Sequence, residues 1–477
     1  MLDVVIRGGQ VVTPCGVQFL DIAIQGEKVA MLAVPGAQDI VGAARVIDAT
    51  GKIIIPGGID PHIHCNWPSP PDPEGGPQRF SAPPLLVSRA ALFGGTTTLI
   101  DFAIWNPGET LSRTIERRDK DWHGQCHCDY AYHVMLQGQI PPRILEELPE
   151  TIRSGFPTIK IYTTNGRPGR EGRKIGYGDI WEILKVVAKC GGVTAIHAEE
   201  DDLVMHMYDK LIREGRVGFE HMAEVHSALS EDLSFRHIIR LAENVDGASL
   251  YMMHVSAAGG IKAIEESRAR GYPIYGETLP HFMFYTSEDY RRVNGQIYHT
   301  YPSLKSEEDR LTLWSGTTSG AISTIATDGI CTPLCIKVQG HRIDDTTGGH
   351  AGVEPRVSVM YTETVVKRGY SLERFVALVS GNAARIMGLY PRKGAIAAGS
   401  DADLVIFDPQ ASRRLSHADL HEADYSPWEG YEVAGWPAVT LLRGKVVVDN
   451  GLFHGDPMQG QRIARKIADE IVSGPTC

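Results

Sequence analysis

Asp60-Pro61-His62-Ile63-His64 sets two histidines one residue apart. Strand side chains alternate with period two, so on a strand both imidazoles point to one side and reach one metal ion. An isolated pair of this kind is more often two ordinary histidines near a turn, and it gains meaning only from company. Four further residues stand at or near the ends of strand-like runs: Lys160 within 158–162, His197 closing 193–197, His254 near the end of 250–255 and Asp328 closing 323–328. Each alone has a structural reading: a satisfied histidine, a lysine paired with a carboxylate, an aspartate capping a turn. Together, four imidazoles and one carboxylate suit zinc, and also manganese, nickel or iron. A lysine does not ligate as an ammonium.

Those side chains need a scaffold that brings strand ends together. From residue 57 the chain repeats strand then helix. Strands are expected at 57–63, 97–102, 129–134, 158–162, 193–197, 250–255, 274–277 and 323–328. Helical patterns fall at 84–93, 111–121, 179–190, 202–213, 221–244, 258–270 and 306–320. Eight strands alternating with helices give an α/β fold, a (β/α)8 TIM-like barrel, whose chemistry sits at the C-terminal ends of its strands. Before it, residues 2–50 read as short antiparallel strands broken by glycines, continued by Ile53-Ile54-Ile55. After it, helices at 356–368 and 371–387 precede strands at 403–407, 433–435, 438–442 and 445–449. Neither end buries a core alone, so the two are expected to pair into one small β-sandwich. The expected division is 1–56 plus 391–455 for the sandwich and 57–390 for the barrel. The polar tail, 456–477, has a helical patch at 463–472 and is expected to meet a neighbouring subunit.

Composition narrows the function. The chain has 477 residues, 43% apolar and 22% charged, as ordinary soluble globular proteins do. A net charge of −11 argues against nucleic acid as a partner. No run approaches the ~18 apolar residues of a membrane span. The opening Met-Leu-Asp-Val-Val-Ile-Arg has no basic n-region or apolar h-region, so no signal peptide is expected. The eight cysteines are scattered. The close pairs, Cys126 with Cys128 and Cys331 with Cys335, lack zinc-knuckle partners. They read as free thiols in a reducing cytoplasm.

Several longer segments carry a resemblance. They are Pro56-Gly57-Gly58-Ile59-Asp60-Pro61-His62-Ile63-His64, Gly94-Gly95-Thr96-Thr97-Thr98-Leu99-Ile100-Asp101-Phe102, His197-Ala198-Glu199, His254-Val255-Ser256, Gly276-Glu277-Thr278 and Gly388-Leu389-Tyr390-Pro391-Arg392-Lys393-Gly394. The last continues into Gly399-Ser400-Asp401-Ala402-Asp403-Leu404-Val405. Nearly the whole chain resembles the dihydropyrimidinase/hydantoinase family of cyclic amidohydrolases. The resemblance implies two divalent metal ions, zinc foremost. His62 and His64 would hold the more buried one with Asp328, and His197 and His254 the other. Lys160, carbamylated, would bridge both along with a hydroxide. Asp328 would serve as general base and then acid. The substrate would be a small cyclic amide of the hydantoin or dihydropyrimidine kind, and the product an N-carbamoyl amino acid. Members are commonly homo-oligomers, tetramers or dimers.

The sequence also departs from that family. A tyrosine usually stands five residues after the bridging lysine; here the position is Asn165, and Tyr162 is expected to face elsewhere. The family's Ser-Pro-Pro-Leu stretch becomes Tyr301-Pro302-Ser303-Leu304, and its Asn-Gly-x-Pro-Gly segment becomes Gly348-Gly349-His350-Ala351-Gly352. Asn165, Tyr301, Gly349 and His350 are therefore the expected substrate contacts. An intact metal set with an altered substrate set implies the family's chemistry on a different ring. An allantoinase and a cyclic imide hydrolase are the alternatives within the class. A non-catalytic dihydropyrimidinase-like scaffold is the alternative outside it, though such proteins lack the ligands that this chain retains. The loop after the fourth strand carries Arg167, Arg170, Arg173 and Lys174 among glycines. It is either a solvated mobile loop or a lid that pairs with a substrate carboxylate.

Overall fold

The computed structural model describes residues 2–37, 42–71 and 75–477. Among them, eight parallel strands form one sheet in sequence order: β1 (Gly58–Asp60), β2 (Thr96–Ile104), β3 (Asp129–Met135), β4 (Thr158–Tyr162), β5 (Val193–His197), β6 (Leu250–Met252), β7 (Ile274–Thr278) and β8 (Ile322–Ile325). The sheet curls into a nearly closed barrel. At the seam, Ile63 bridges to Gly329 just beyond β1 and β8, and the His64 N–H donates to the Gly329 carbonyl at 2.8 Å. Residues of β3, β4 and β5 are buried on both faces, as strands wrapped by helices must be.

The surrounding helices include Pro84–Phe93, Leu111–Trp122, Tyr177–Lys189, Asp201–Arg213, Ala228–Ala242, Ala258–Arg268 and Glu307–Ser319. One more, Pro142–Arg153, lies between β3 and β4, where the sequence suggests no helix. Pro141, Pro142 and Pro149 read as breakers. Pro142, however, occupies the first turn, where a backbone N–H has no helical partner to lose. Ile144, Leu148 and Ile152 repeat every fourth residue and bury one face. The later helices are not uniform. Arg356–Tyr361 widens into a π-turn over Thr362–Val366, and Leu372–Val376 does so over Ala377–Gly381 before Asn382–Ile386.

A second, mixed sheet of nine strands comes from both ends of the chain. Its joint is Ile53–Pro56, which pairs parallel with Leu2–Thr13 and antiparallel with Leu404–Arg414. The strand that welds the chain ends thus runs directly into β1. Ile6, Ile22 and Ile24 from one end pack with Leu404, Ile406 and Leu441 from the other, so the ends share one core.

The tail docks on its own barrel, at the face where the strands begin. Tyr130 exchanges backbone hydrogen bonds with Gln461 and Ile463, and the Arg465 N–H donates to Gly155. Ile463, Ile467 and Ile471 join a cluster with Ile59, Val193 and Tyr251. Helix forms only over Asp469–Ser473, less than the expected patch at 463–472. The residues before it spend their backbone groups on the barrel instead. Among the described residues no helix is long and apolar enough to cross a membrane.

Candidate metal centre

Beyond β1, Asp60 sets the direction of the chain. Its buried carboxylate accepts from the His62 N–H at 3.3 Å, the Thr327 N–H at 3.1 Å and the Thr327 hydroxyl at 2.6 Å. That holds the run into His62 and His64 against the segment before Asp328. His62 Nδ1 then lies 2.7 Å from Glu277 Oε1 at the end of β7. The carboxylate accepts from Nδ1–H, so once a bound cation takes the place of the ring's second proton, Nε2 presents its lone pair. That lone pair faces Asp328 Oδ1 at 3.1 Å, and His64 Nε2 meets the same oxygen at 3.0 Å.

A lone pair facing a carboxylate oxygen repels it unless positive charge lies between them. Burial pushes His62 down, but Glu277 and Asp328 outweigh it and raise its pKa to about 9. Burial pushes the Asp328 carboxyl up, and His62 and His64 outweigh that to hold it well below the ordinary range. The meeting point of these three side chains favours positive charge, a proton on His62 or a divalent metal ion, for which its two nitrogens and one oxygen are close enough together.

Next to it stand His197 and His254. His197 Nε2 is 2.9 Å from Glu199 Oε2, which leaves Nδ1 as the free lone pair, 2.9 Å from His254 Nε2. Burial carries His197 down to about 4 against the pull of Glu199, and carries His254 well below its ordinary value. Both are neutral at pH 7, the form in which imidazole ligates metal. The His254 and His62 ring centroids are 5.5 Å apart, so the two histidine pairs adjoin. His254 and Asp328 have φ of 41° and 49°, the left-handed region that non-glycine residues avoid at a cost of about 1–3 kcal/mol each. Glu277 Oε1 holds the His254 N–H at 3.1 Å, and Thr300 Oγ1 donates to Asp328 Oδ2 at 2.7 Å. The strain is thus maintained by specific contacts at the site itself.

Lys160, on β4, is 1% exposed. Its Nζ reaches Met253 Sδ at 2.8 Å and lies 4.7 Å from the Tyr162 ring centroid, with no carboxylate at ion-pair distance among the described residues. Burial lowers its pKa to about 7 against the pull of Glu277 and Asp328. A second acidic group, Asp129 with Asp401 and Asp403, already encloses the ammonium of Lys393 at 2.5–2.9 Å and has no need of a metal.

A cavity of about 430 Å³ opens over these residues at the C-terminal ends of the strands. His62, His64, His197, His254 and Asp328 all line it, with Lys160 buried beside them. Asn165 and Tyr301 also line it. Asn165, however, spends its side chain on the loop: its Oδ1 accepts from the N–H groups of Arg173 at 3.2 Å and Lys174 at 3.1 Å. Gly349 and His350 stand behind the wall. Gly348 takes that place, where a Cβ would sit 2.5 Å from the Tyr301 ring. His350 turns its Nε2 to His281 at 2.7 Å. Tyr162 does not face away: it is two residues after Lys160, hence on the same side of β4, and its ring is 5.2 Å from that of His197. Glu277 and Glu199, which fix two imidazole tautomers, have no role visible from spacing. Both lie in sequence segments already noted, but only the fold shows which histidine each one faces.

The Amidohydrolase family model matches residues 53–447. The chain is similar to the D-hydantoinase of Geobacillus stearothermophilus, 33% identical over 96% of each chain. It is similar to the D-phenylhydantoinase of Escherichia coli O1:K1, 31% identical over 98% of each. Among solved structures, the dihydropyrimidinase from Brevibacillus agri NCHU1002 superposes with a TM-score of 0.91 at 31% identity, over 98% of this chain and 100% of that one.

Proposed function

Because this chain belongs to the amidohydrolase family, we propose that it hydrolyses a ring amide, of the hydantoin or dihydropyrimidine kind, to an N-carbamoyl amino acid. The observation that carries this reading is the convergence of His62, His64, His197, His254 and Asp328 on one cavity, beside a buried and weakly basic Lys160. His62, His64 and Asp328 would hold one divalent ion and His197 and His254 a second, with zinc the best match to a nitrogen-rich donor set. Lys160 is poised as a neutral amine, the form that adds to carbon dioxide with loss of a proton, and the resulting carbamate has two oxygens to share between two ions. When bound, such ions supply a hydroxide nucleophile near neutral pH and polarise an amide carbonyl.

The remaining work falls to the chain. Asp328 is ionised at rest, and Thr300 anchors its Oδ2. Its carboxylate is then placed to take a proton from the attacking water and return it to the leaving ring nitrogen. The Tyr162 hydroxyl lines the cavity with no hydrogen-bond partner among the described residues. It is placed to donate to the carbonyl oxygen as negative charge develops there. Asn165 is not, because its amide holds the loop. All eight cysteines are unpaired, which supports a cytoplasmic home, and a homo-oligomer is proposed on family grounds alone.

The test is ring opening by the metal-replete protein across hydantoin, 5-substituted hydantoins, dihydrouracil, allantoin and succinimide. Opening of hydantoins or dihydrouracil is the expected result. Turnover confined to allantoin or succinimide would move the assignment to an allantoinase or an imide hydrolase. No turnover of any ring by a metal-loaded protein would contradict the substrate class.

A further inference from the structure

The loop between β4 and Tyr177–Lys189 places three guanidinium groups on the cavity: Arg167, Arg170 and Arg173. None forms an ion pair among the described residues. Arg167 reaches only the Asp344 carbonyl, at 3.4 Å, and its Nε is buried without a partner. Arg170 lies over the Tyr301 ring at 5.6 Å. Arg173 lies 5.1 Å from the Tyr162 ring centroid and 5.7 Å from that of Trp67. Lys174, on the same loop, behaves as an ordinary surface cation and pairs with Asp201 at 3.2 Å.

This loop is not loosely solvated. The Arg173 and Lys174 N–H groups are pinned to Asn165 Oδ1, the Gly166 N–H to Thr164 Oγ1 and the Ile175 N–H to the Tyr162 carbonyl. Asn165 therefore ties the two ends of the loop together, and the loop presents the arginines to the cavity. Among the described lining residues, the acid facing them is Asp328, which the metal set already employs. Burial, together with Arg173 and Arg167, pushes Arg170 down to about 10. Grouping unpaired cations in a half-buried cavity is unfavourable unless an anion joins them.

We propose that the ring substrate carries a carboxylate on its substituent, and that Arg170 and Arg173 bind it while the ring amide lies against the imidazoles. The inference rests on the cyclic-amide reading. A guanidinium offers paired N–H donors that match a planar carboxylate, and the Tyr301, Tyr162 and Trp67 rings hold these groups in place. The Tyr162 ring has the Arg173 guanidinium 5.1 Å and the His197 ring 5.2 Å from its centroid, so one side chain links the arginine to the imidazoles and a short substituent suffices to reach it.

The test compares hydantoin-5-acetic acid with hydantoin-5-acetamide, which share a shape and differ in charge. Ring opening and equilibrium binding are both measured on the metal-replete protein. The acid should be favoured by about 30-fold or more in kcat/KM and in Kd. Arg170→Gln with Arg173→Gln should bring that ratio close to one, and rising salt should shrink it in the unaltered protein. A ratio near one in the unaltered protein, a preference that survives the double substitution, or no detectable binding of the acid would overturn the proposal. Preferential binding of the acid with neither ring opened would retire the cyclic-amide reading and leave the anion subsite standing. Equal opening of both would do the reverse.

Discussion

At the scale of single residues, the site depends on carboxylates that never touch substrate. Glu277 receives His62 Nδ1, the Tyr251 hydroxyl and the His254 N–H, so one side chain orients one imidazole and holds the strained backbone of another histidine. Glu277→Gln keeps the shape but offers a weaker, ambiguous partner. It should lower metal affinity about 10- to 100-fold, read by competition with a chelator. Unchanged affinity would mean that His62 is oriented by packing alone. Tyr162→Phe removes the one hydroxyl proposed to meet the developing oxyanion and should cut kcat about 10²-fold with little change in KM. The same loss from Asn165→Ala, with Tyr162→Phe silent, would return that role to Asn165. Lys160 carries a pH signature. Its pKa near 7 lies below the ordinary lysine value, so its protonated fraction grows as pH falls through 7. Reconstitution of metal-free protein with metal and bicarbonate should slow about tenfold per unit below that point. A bicarbonate-independent, pH-flat rate would exclude a carbamate. The six residues proposed to hold metal could be singled out in the sequence because they stood in or at the ends of strand-like runs. Gly349 and His350 were misplaced because the path of a long loop is set by tertiary contacts such as Gly348 against Tyr301. Tyr162 was expected to face elsewhere, although period two in β4 puts it on the side of Lys160.

At the scale of elements, a buried ionic knot ties the barrel to the terminal sheet. Lys393 sits among Asp129 at the start of β3 and Asp401 and Asp403 at the head of Leu404–Arg414, and Arg443 adds a second cation to Asp129. Burial pushes Asp401 up, but Lys393, Lys28 and Arg392 outweigh it and bring its pKa down to about 2. A depressed carboxylate stabilises the fold above its unfolded pKa and stops doing so as protonation sets in. Stability should therefore fall by about 2 kcal/mol between pH 4 and pH 2 from this group alone. Lys393→Met leaves three buried carboxylates facing one another and should destabilise by about 3–5 kcal/mol in denaturant unfolding at pH 7. A change below about 1 kcal/mol would show that Arg443 suffices. Most elements were legible from alternation and four-residue periods. Helix Pro142–Arg153 was hidden by its prolines, although Ile144, Leu148 and Ile152 carried the period. The knot itself was not legible, because Asp129 lies 264 residues from Lys393 in the sequence.

At the scale of the whole molecule, the barrel has a working end and a sealed end. The tail closes the sealed one with Ile463, Ile467 and Ile471 and contributes the buried Arg465, whose guanidinium reaches the Tyr132 carbonyl and Thr158 Oγ1. Each isoleucine is worth about 1.5–3 kcal/mol of burial. Deleting 457–477 should lower Tm by about 10 °C or more and expose dye-binding apolar surface. An unchanged Tm would show that the tail merely rests there. The pairing of 1–56 with 391–455 into one unit beside the barrel, which we propose as the domain division, follows from the same logic as the tail: each segment lacks a core until another supplies it. That need was visible in the sequence, but what the tail packs against was not.

The most direct test of the central proposal, a two-metal site organised by Lys160, is metal content by elemental analysis, run beside ring opening on one preparation. The unaltered chain should carry about two divalent ions per chain, lose activity on chelation and regain it on reloading, while Lys160→Ala should hold no more than about one and open no ring. A fully active protein without metal, or Lys160→Ala with two ions and undiminished turnover, would contradict it.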